Sequence, residues 1–400
     1  MASDLPVIAV ALRTPIGEVH GALSQCHPAE LLASVLIALS ERSALEPRHV
    51  EQIIVGCAMP VGAQSDIGRA AVLAAGWPDT IPAETLAQHS CSSMAAVLRA
   101  AHAVQSGAAE IVIAAGVEVM SLVPMGATAM ARHAYGKPWG DRVAARYAAE
   151  GGLLPDDVRA DELARRHSIE RGAQDAWAQR SHSLARAAIT PISPQLVPID
   201  TGFTLVDRDE RCSREIGDIA ELSPMFDQQG SVTAANRASI ADGAVAIVVT
   251  TRARAASLGM TPLCSIRGGG HAARGPRDNE PAAIIAVERA LAHTGLTVAD
   301  LDRIELHEGH AATVLRVIEG CGFAVDRVNP DGGSIAVGHP TGVTGGRLIT
   351  ALAHALSARG TVGLAVVEGE DTALATVLGK PARAAVRAGN PARAAVRAEN

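Results

Sequence analysis

The feature that most constrains the fold is an alternation, present twice along the chain, of short β-branched runs with amphipathic stretches. In the first series Val7 to Leu12, Gln52 to Cys57 and Glu110 to Ala115 read as buried strands. Around them His27 to Ser43, Asp66 to Ala75 and Cys91 to Gln105 carry apolar residues at helical spacing. The second series has strands at Ala244 to Thr250, Pro262 to Arg267, Arg303 to His307, Val362 to Val367 and Ala373 to Leu378. Its helices fall at Pro281 to His293, Gly309 to Glu319 and Thr344 to Ser357. Such alternation predicts a layered α/β fold. Aromatic residues make up only 2% of 400 residues, so Ala, Val, Leu and Ile must fill the core, which favours close contact of helix on sheet.

Between the two series the character changes. Residues 121–238 hold a charged double-helix pattern, Asp161 to His167 and Glu170 to Ala188, among Gly- and Pro-punctuated loops. This reads as an insertion lying over the sheet layers, where loops commonly bind substrate. The expected organisation is therefore a first half of 1–120 plus about 239–261, the inserted loop domain 121–238, and a second half of 262–379. The final residues, 380–400, contain a direct repeat and read as a disordered cationic tail.

Several functions are excluded or disfavoured by composition. A net charge of -7 supplies no global positive field for phosphate, so no nucleic-acid partner is expected. Lys137 and Lys380 are the only lysines and both precede proline, so neither belongs to a G-K-[ST] phosphate loop. The cysteines, Cys26, Cys57, Cys91, Cys212, Cys264 and Cys321, form no C-x-x-C pair and fit reduced thiols of a cytoplasmic protein. No apolar run reaches membrane-spanning length, and no membrane partner is expected.

Polar residues interrupt the apolar background at three places. His89-Ser90-Cys91-Ser92-Ser93 immediately precedes a helix, where unpaired N–H groups and the dipole's positive end can stabilise an oxyanion. Small polar residues at such a position also serve as an N-cap. The segment from Gly332 to Gly342 surrounds His339 with glycines, and Pro340 keeps it extended and outside the following helix. His307-Glu308-Gly309-His310 ends a strand. Its spacing differs from the H-E-x-x-H zinc helix, so hydrogen bonding is favoured over metal binding.

With these residues in place the chain resembles the thiolases over nearly its whole length, to about Gly379. The likeness includes Arg13-Thr14-Pro15-Ile16-Gly17, Gly116 to Ser121, Gln174-Asp175, Ser181-His182, Gly230 to Asn236, Asp242-Gly243-Ala244 and the Gly338-His339-Pro340 motif, in order. The resemblance implies a duplicated five-layer αβαβα fold with a loop domain over the substrate, and a homodimer or homotetramer. It also implies acyl transfer from a coenzyme A thioester, or a carrier-protein thioester, through a nucleophilic cysteine, with no bound cofactor.

This chain departs from that pattern at the reacting centre. Ungapped spacing from Thr85 and from Gly107 puts Ser90 at the nucleophile position, with Cys91 one residue late. Serine depends on a base, and His339 is the candidate. His307 and His310 occupy the ends of the family's Asn-Glu-Ala-Phe segment; His307 is expected to donate to a thioester oxygen or a water, and His310 either packs or adds an imidazole. Glu368 replaces the second cysteine, as an acid/base or as the orienter of His339, and the glycine run after it is reduced to Gly369. Arg211 falls near the family's nucleotide-contacting arginine. The leading expectation is a Ser acyl-enzyme that passes its acyl group to a carbon nucleophile or other acceptor. The alternatives are a Ser-His-Glu hydrolase and a catalytically silent homologue acting as a partner protein.

Overall fold

A computed structural model describes residues 5–126, 140–149, 154–190, 192–213, 217–275, 280–369 and 371–381. The terminal repeat lies outside these residues except for its first residue, Pro381. In chain order, β1 (Val7–Arg13) and β2 (Gly17–Glu18) lead to α1 (Pro28–Glu41), β3 (Gln52–Gly56), α2 (Ile67–Ala74), β4 (Ala83–Leu86), α3 (Ser92–Ser106) and β5 (Ile111–Val119). Next come α4 (Asp141–Ala149), α5 (Asp156–Arg166), α6 (Arg171–Ala187) and a small hairpin of β6 (Ile199–Asp200) and β7 (Leu205–Val206). The chain continues through β8 (Ala241–Thr250), α7 (Arg252–Ser257), β9 (Cys264–Ala273), α8 (Ala282–Thr294), β10 (Arg303–Leu306) and α9 (Ala311–Cys321). It ends with a single turn α10 (Ser334–Val337), α11 (Thr344–Ala358), β11 (Val362–Glu368) and β12 (Thr372–Gly379).

The strands run in the order β10-β11-β12-β9-β1-β8-β5-β3-β4. The two halves join where β1 meets β9 through the pairs Val7 with Ser265 and Ile8 with Cys264. Three apolar cores separate the layers. Leu32 and Leu36 of α1 pack on Ile53 and Ile113 of the first half, and Ala286 of α8 and Val314 of α9 pack on Leu364 of the second. Between the halves, Met94 and Val97 of α3 and Leu348 and Leu352 of α11 share one core with Ile247 and Ala365. The result is the expected helix, sheet, helix, sheet, helix stacking. Every residue of β5 and β8 is buried because helices cover both faces, which is why these strands read as continuous apolar runs rather than alternating ones.

The central helices approach their neighbours closely because glycine is present at the contacts. A Cβ on Gly56 would sit 2.4 Å from the Ser92 carbonyl carbon, and one on Gly345 would sit 2.7 Å from Met94 Cβ. Those contacts press the first turn of α3 against β3 and against the first turn of α11. Ser93 Oγ accepts from the Gly346 amide at 2.7 Å and stitches the same two turns together. The segments carrying Ser90 and His339 are thereby fixed relative to one another.

Candidate active site

Ser90 lies in the tight turn between β4 and α3, just ahead of the positive end of α3's dipole. Ser92 pins that turn, its hydroxyl accepting from the Gln88 amide at 2.9 Å and donating to the His89 carbonyl at 2.6 Å. His89 takes a left-handed φ of 47°, and this sharp reversal aims the following hydroxyl at His339. The Ser90 Oγ to His339 Nε2 separation is 3.0 Å.

His339 is held from several sides. Its amide donates to the Ser239 carbonyl at 2.8 Å, and the glycine before it adopts φ 103°, a conformation side chains rarely reach. Three residues on, the Gly342 amide donates at 2.9 Å to Glu118, a buried carboxylate of β5 that also accepts from the Ala58 amide at 2.7 Å and from Gln64 at 2.6 Å. A first-half carboxylate thus clamps a second-half loop. On the ring, Nδ1 lies 2.6 Å from Thr344 Oγ1, and that hydroxyl donates to the Pro340 carbonyl at 3.2 Å. With its proton directed to Pro340, Thr344 accepts from Nδ1–H, so Nε2 carries the lone pair that faces Ser90. Burial, then the charges of His307, Arg347, His310 and Arg237, hold the His339 pKa well below the usual imidazole range. The ring is therefore neutral at physiological pH and free to accept a proton. Its Nδ1 is committed to Thr344, so the expectation that Glu368 orients His339 in a Ser-His-Glu arrangement is corrected.

His307, just beyond β10, stacks near His339 with ring centroids 4.3 Å apart. Its Nδ1 lies 2.9 Å from the Glu368 backbone carbonyl, which can only accept, so Nδ1 bears the hydrogen. Burial lowers its pKa to about 3, leaving a neutral ring whose Nε2 is an acceptor without a partner among the described residues. Direct donation from His307 to a thioester oxygen is thus corrected: the nitrogen it presents can hold a water or a substrate donor.

Glu368 ends β11. Its Oε1 accepts from the Ala282 amide at the start of α8 at 3.2 Å and lies 3.9 Å from Arg274, while Oε2 has no partner among the described residues. Burial raises its pKa to about 7 against the opposing pull of Arg274 and the α8 amides. Gly369 turns the chain, donating to the Thr372 carbonyl at 2.8 Å, and a Cβ there would lie 3.6 Å from the Ser90 amide nitrogen. Its bareness keeps the space over that amide open.

These groups face one cavity of 320 Å³, lined by Ser90, His307, His310, His339, Glu368 and Gly369 among others. Six residues spread over 280 positions of sequence are thus brought together. Two expected residues are not. Cys91 is fully buried with its thiol directed at the Val367 and Thr372 carbonyls, and burial pushes its pKa to about 12. Arg211 stands 3.6 Å from Glu18 and is not among the described lining residues. The structure adds Thr344 behind His339, and Asp156, Asp157, Arg159, Arg237 and Arg274 on the cavity wall, none of which the sequence singled out.

A hydroxyl at a helix start, facing a neutral imidazole whose tautomer is set from behind, is an arrangement for nucleophilic acyl transfer. The chain belongs to the thiolase family. Residues 6–253 match the family described as thiolase, N-terminal domain, and residues 260–380 match thiolase, C-terminal domain. An acetyl-CoA acetyltransferase of Cupriavidus necator is 34% identical over 387 residues, covering 92% of this chain and 98% of the relative. Another, from Escherichia coli, is 33% identical over 376 residues, 90% of this chain and 95% of its own length. The crystal structure of the Bacillus anthracis acetyl-CoA acetyltransferase superposes with a TM-score of 0.85 at 31% identity, covering 94% of this chain and 99% of that one.

Proposed function

We propose that this thiolase-type acyltransferase takes an acyl group from a coenzyme A thioester onto Ser90 and passes it to a carbon nucleophile. The observation that carries the reading is the 3.0 Å contact of Ser90 Oγ with the unprotonated face of His339. The names of the relatives, acetyl-CoA acetyltransferases, support coenzyme A as the carrier.

In the first step the Ser90 proton passes to His339 Nε2 as the Oγ–C bond forms, and the C–S bond then breaks. An imidazolium is unstable beside Arg347 and Arg237, so His339 returns the proton to the departing sulfur. A thiolate with a conjugate pKa of about 8.5 needs little such help. In the second step Glu368 removes a proton from the acceptor carbon through its unpartnered Oε2. The resulting carbanion attacks the Ser90 ester carbonyl, a C–C bond forms, and Ser90 Oγ leaves, taking the proton that Glu368 removed from the acceptor, relayed through the neutral His339 Nε2. A carboxyl group whose pKa is about 7 is matched to that exchange at neutral pH.

Thiol release and acyl transfer, followed separately, test the two steps. Ser90→Ala is expected to abolish the thiol burst. Glu368→Gln is expected to retain the burst and slow transfer on the order of 10²-fold or more. Wild-type thiol release from Ser90→Ala would overturn the proposal, and loss of the burst in Glu368→Gln would move that carboxylate to the acylation step.

A further inference from the structure

The charged wall of the cavity is paired within itself: Arg237 Nε lies 3.2 Å from Asp157, and Arg159 Nη1 lies 2.6 Å from Asp371. Arg274, just past the end of β9, is shared between two carboxylates. Its Nη1 lies 3.9 Å from Glu368 Oε1, and its Nε lies 3.9 Å from Asp371 Oδ1. Both separations exceed hydrogen-bond reach, so the guanidinium acts on these two carboxylates through its charge, and small torsions carry it toward either. The backbone keeps it beside Asp371, whose carbonyl accepts from the Arg274 amide at 2.9 Å.

Asp371 lies in the turn from β11 to β12, two residues past Gly369. Its carboxylate is also held from the inserted segment. Arg159 of α5 donates to Oδ1 at 2.6 Å, and the Tyr147 hydroxyl of α4 donates to Oδ2 at 2.9 Å. Burial acts to raise the Asp371 pKa, but Arg159, Tyr147 and Arg274 together hold it below the ordinary carboxylate value. Its negative charge is therefore present at neutral pH. The groups facing the Glu368 side chain are Arg274, the Ala282 and Ala283 amides of α8, and Asp156 of α5. The neutral His307 meets only the Glu368 backbone carbonyl.

Arg274 acting on Glu368 alone would fix it as a carboxylate and weaken it as a base. Asp371 opposes that effect in two ways, by attracting Arg274 and by repelling a charged Glu368. Arg159 in turn offsets Asp371. A chain of alternating charge thus runs from the reacting carboxyl through Arg274 and Asp371 to α5.

We propose that Asp371 is a positioning residue for the transfer step: it draws the charge of Arg274 away from Glu368, to an extent set by Arg159, so that Glu368 can exchange a proton with the acceptor. This inference rests on the reading of Glu368 as the base of that step.

Infrared difference spectra of the full-length protein, each variant measured against its own Glu368→Gln counterpart, follow the Glu368 carboxyl through a pH titration without turnover. Asp371→Asn keeps the shape and an acceptor oxygen for Arg159, while Arg159→Gln removes the charge that offsets Asp371. Wild type should titrate near about 7. Asp371→Asn is expected to lower the midpoint and Arg159→Gln to raise it, each by on the order of one pH unit. Loosened packing alone would move both variants in the same direction. An unchanged or raised midpoint in Asp371→Asn, or an unchanged or lowered one in Arg159→Gln, overturns the proposal. The acid limb of the acyl-transfer rate should move with the midpoint. If the midpoints shift as expected and that limb does not follow, the reading of Glu368 as the base fails instead.

Discussion

Thr344→Val removes one hydroxyl and isolates its contribution. Thr344 is fully buried, so Val occupies the same space. The Pro340 carbonyl does not lose its partners, because it also accepts from the Val343 amide at 2.9 Å and the Thr344 amide at 3.1 Å. The only group left unsatisfied is His339 Nδ1–H. An unpaired buried donor costs about 1–3 kcal/mol, and the ring can avoid it by shifting its hydrogen to Nε2 or by rotating. Either change takes the acceptor away from Ser90. At about 1.4 kcal/mol per tenfold, thiol release should slow roughly 5- to 150-fold. Thr344→Ser keeps the hydroxyl and should stay within about 3-fold of wild type. The assay is single-turnover thiol release from acetyl-CoA, with thermal unfolding in parallel to check that Thr344→Val is folded. Equal rates in Thr344→Val and wild type would refute the assignment of the His339 tautomer.

Three further outcomes are expected. Folding raises the Glu368 pKa from 4.5 to about 7, so the neutral form is favoured in the native state, and stability present below pH 4.5 is lost as pH rises through about 7. Glu368→Gln should therefore unfold at higher temperature than wild type at pH 8, by a difference on the order of 3 kcal/mol, and this advantage should disappear at pH 4.5; a constant difference across that range would contradict the burial argument. Cys91→Ala should retain the thiol burst, and the native Cys91 should resist iodoacetamide, because its thiol is buried with a pKa of about 12; rapid alkylation at Cys91 would contradict its placement. Sedimentation is expected to give a homodimer or homotetramer, an expectation from fold analogy that a stable monomer at micromolar concentration would remove.

Much of the layer architecture was legible because its signal is local. The apolar runs of β5 and β8 and the helical periods of α3 and α11 are properties of adjacent residues, and the structure extends them only at their ends. Ser90 and His307 could be singled out because each stands where a strand gives way to a helix, His339 because glycines flank the turn between two helices, and Glu368 because it ends a strand before a glycine turn. The orientation of His307 was not, since it depends on a carbonyl 61 positions away. Thr344 reads in sequence as the start of a helix, and its second role exists only because Pro340 and the helix turn bring it behind the His339 ring. The charged wall was the least accessible of all. Asp157 meets His310 across 153 positions and Asp371 meets Arg159 across 212, and a lone charged residue in a linear sequence has the same appearance as a solvated surface group.

Rapid acid quench after mixing with acetyl-CoA, followed by peptide mapping by mass spectrometry, identifies the atom that carries the acyl group. The expected result is an acetyl ester on Ser90, stable in acid, and absent from the Ser90→Ala variant. An acetyl group on Cys91, or an unlabelled Ser90 in enzyme that has released its thiol, would contradict it.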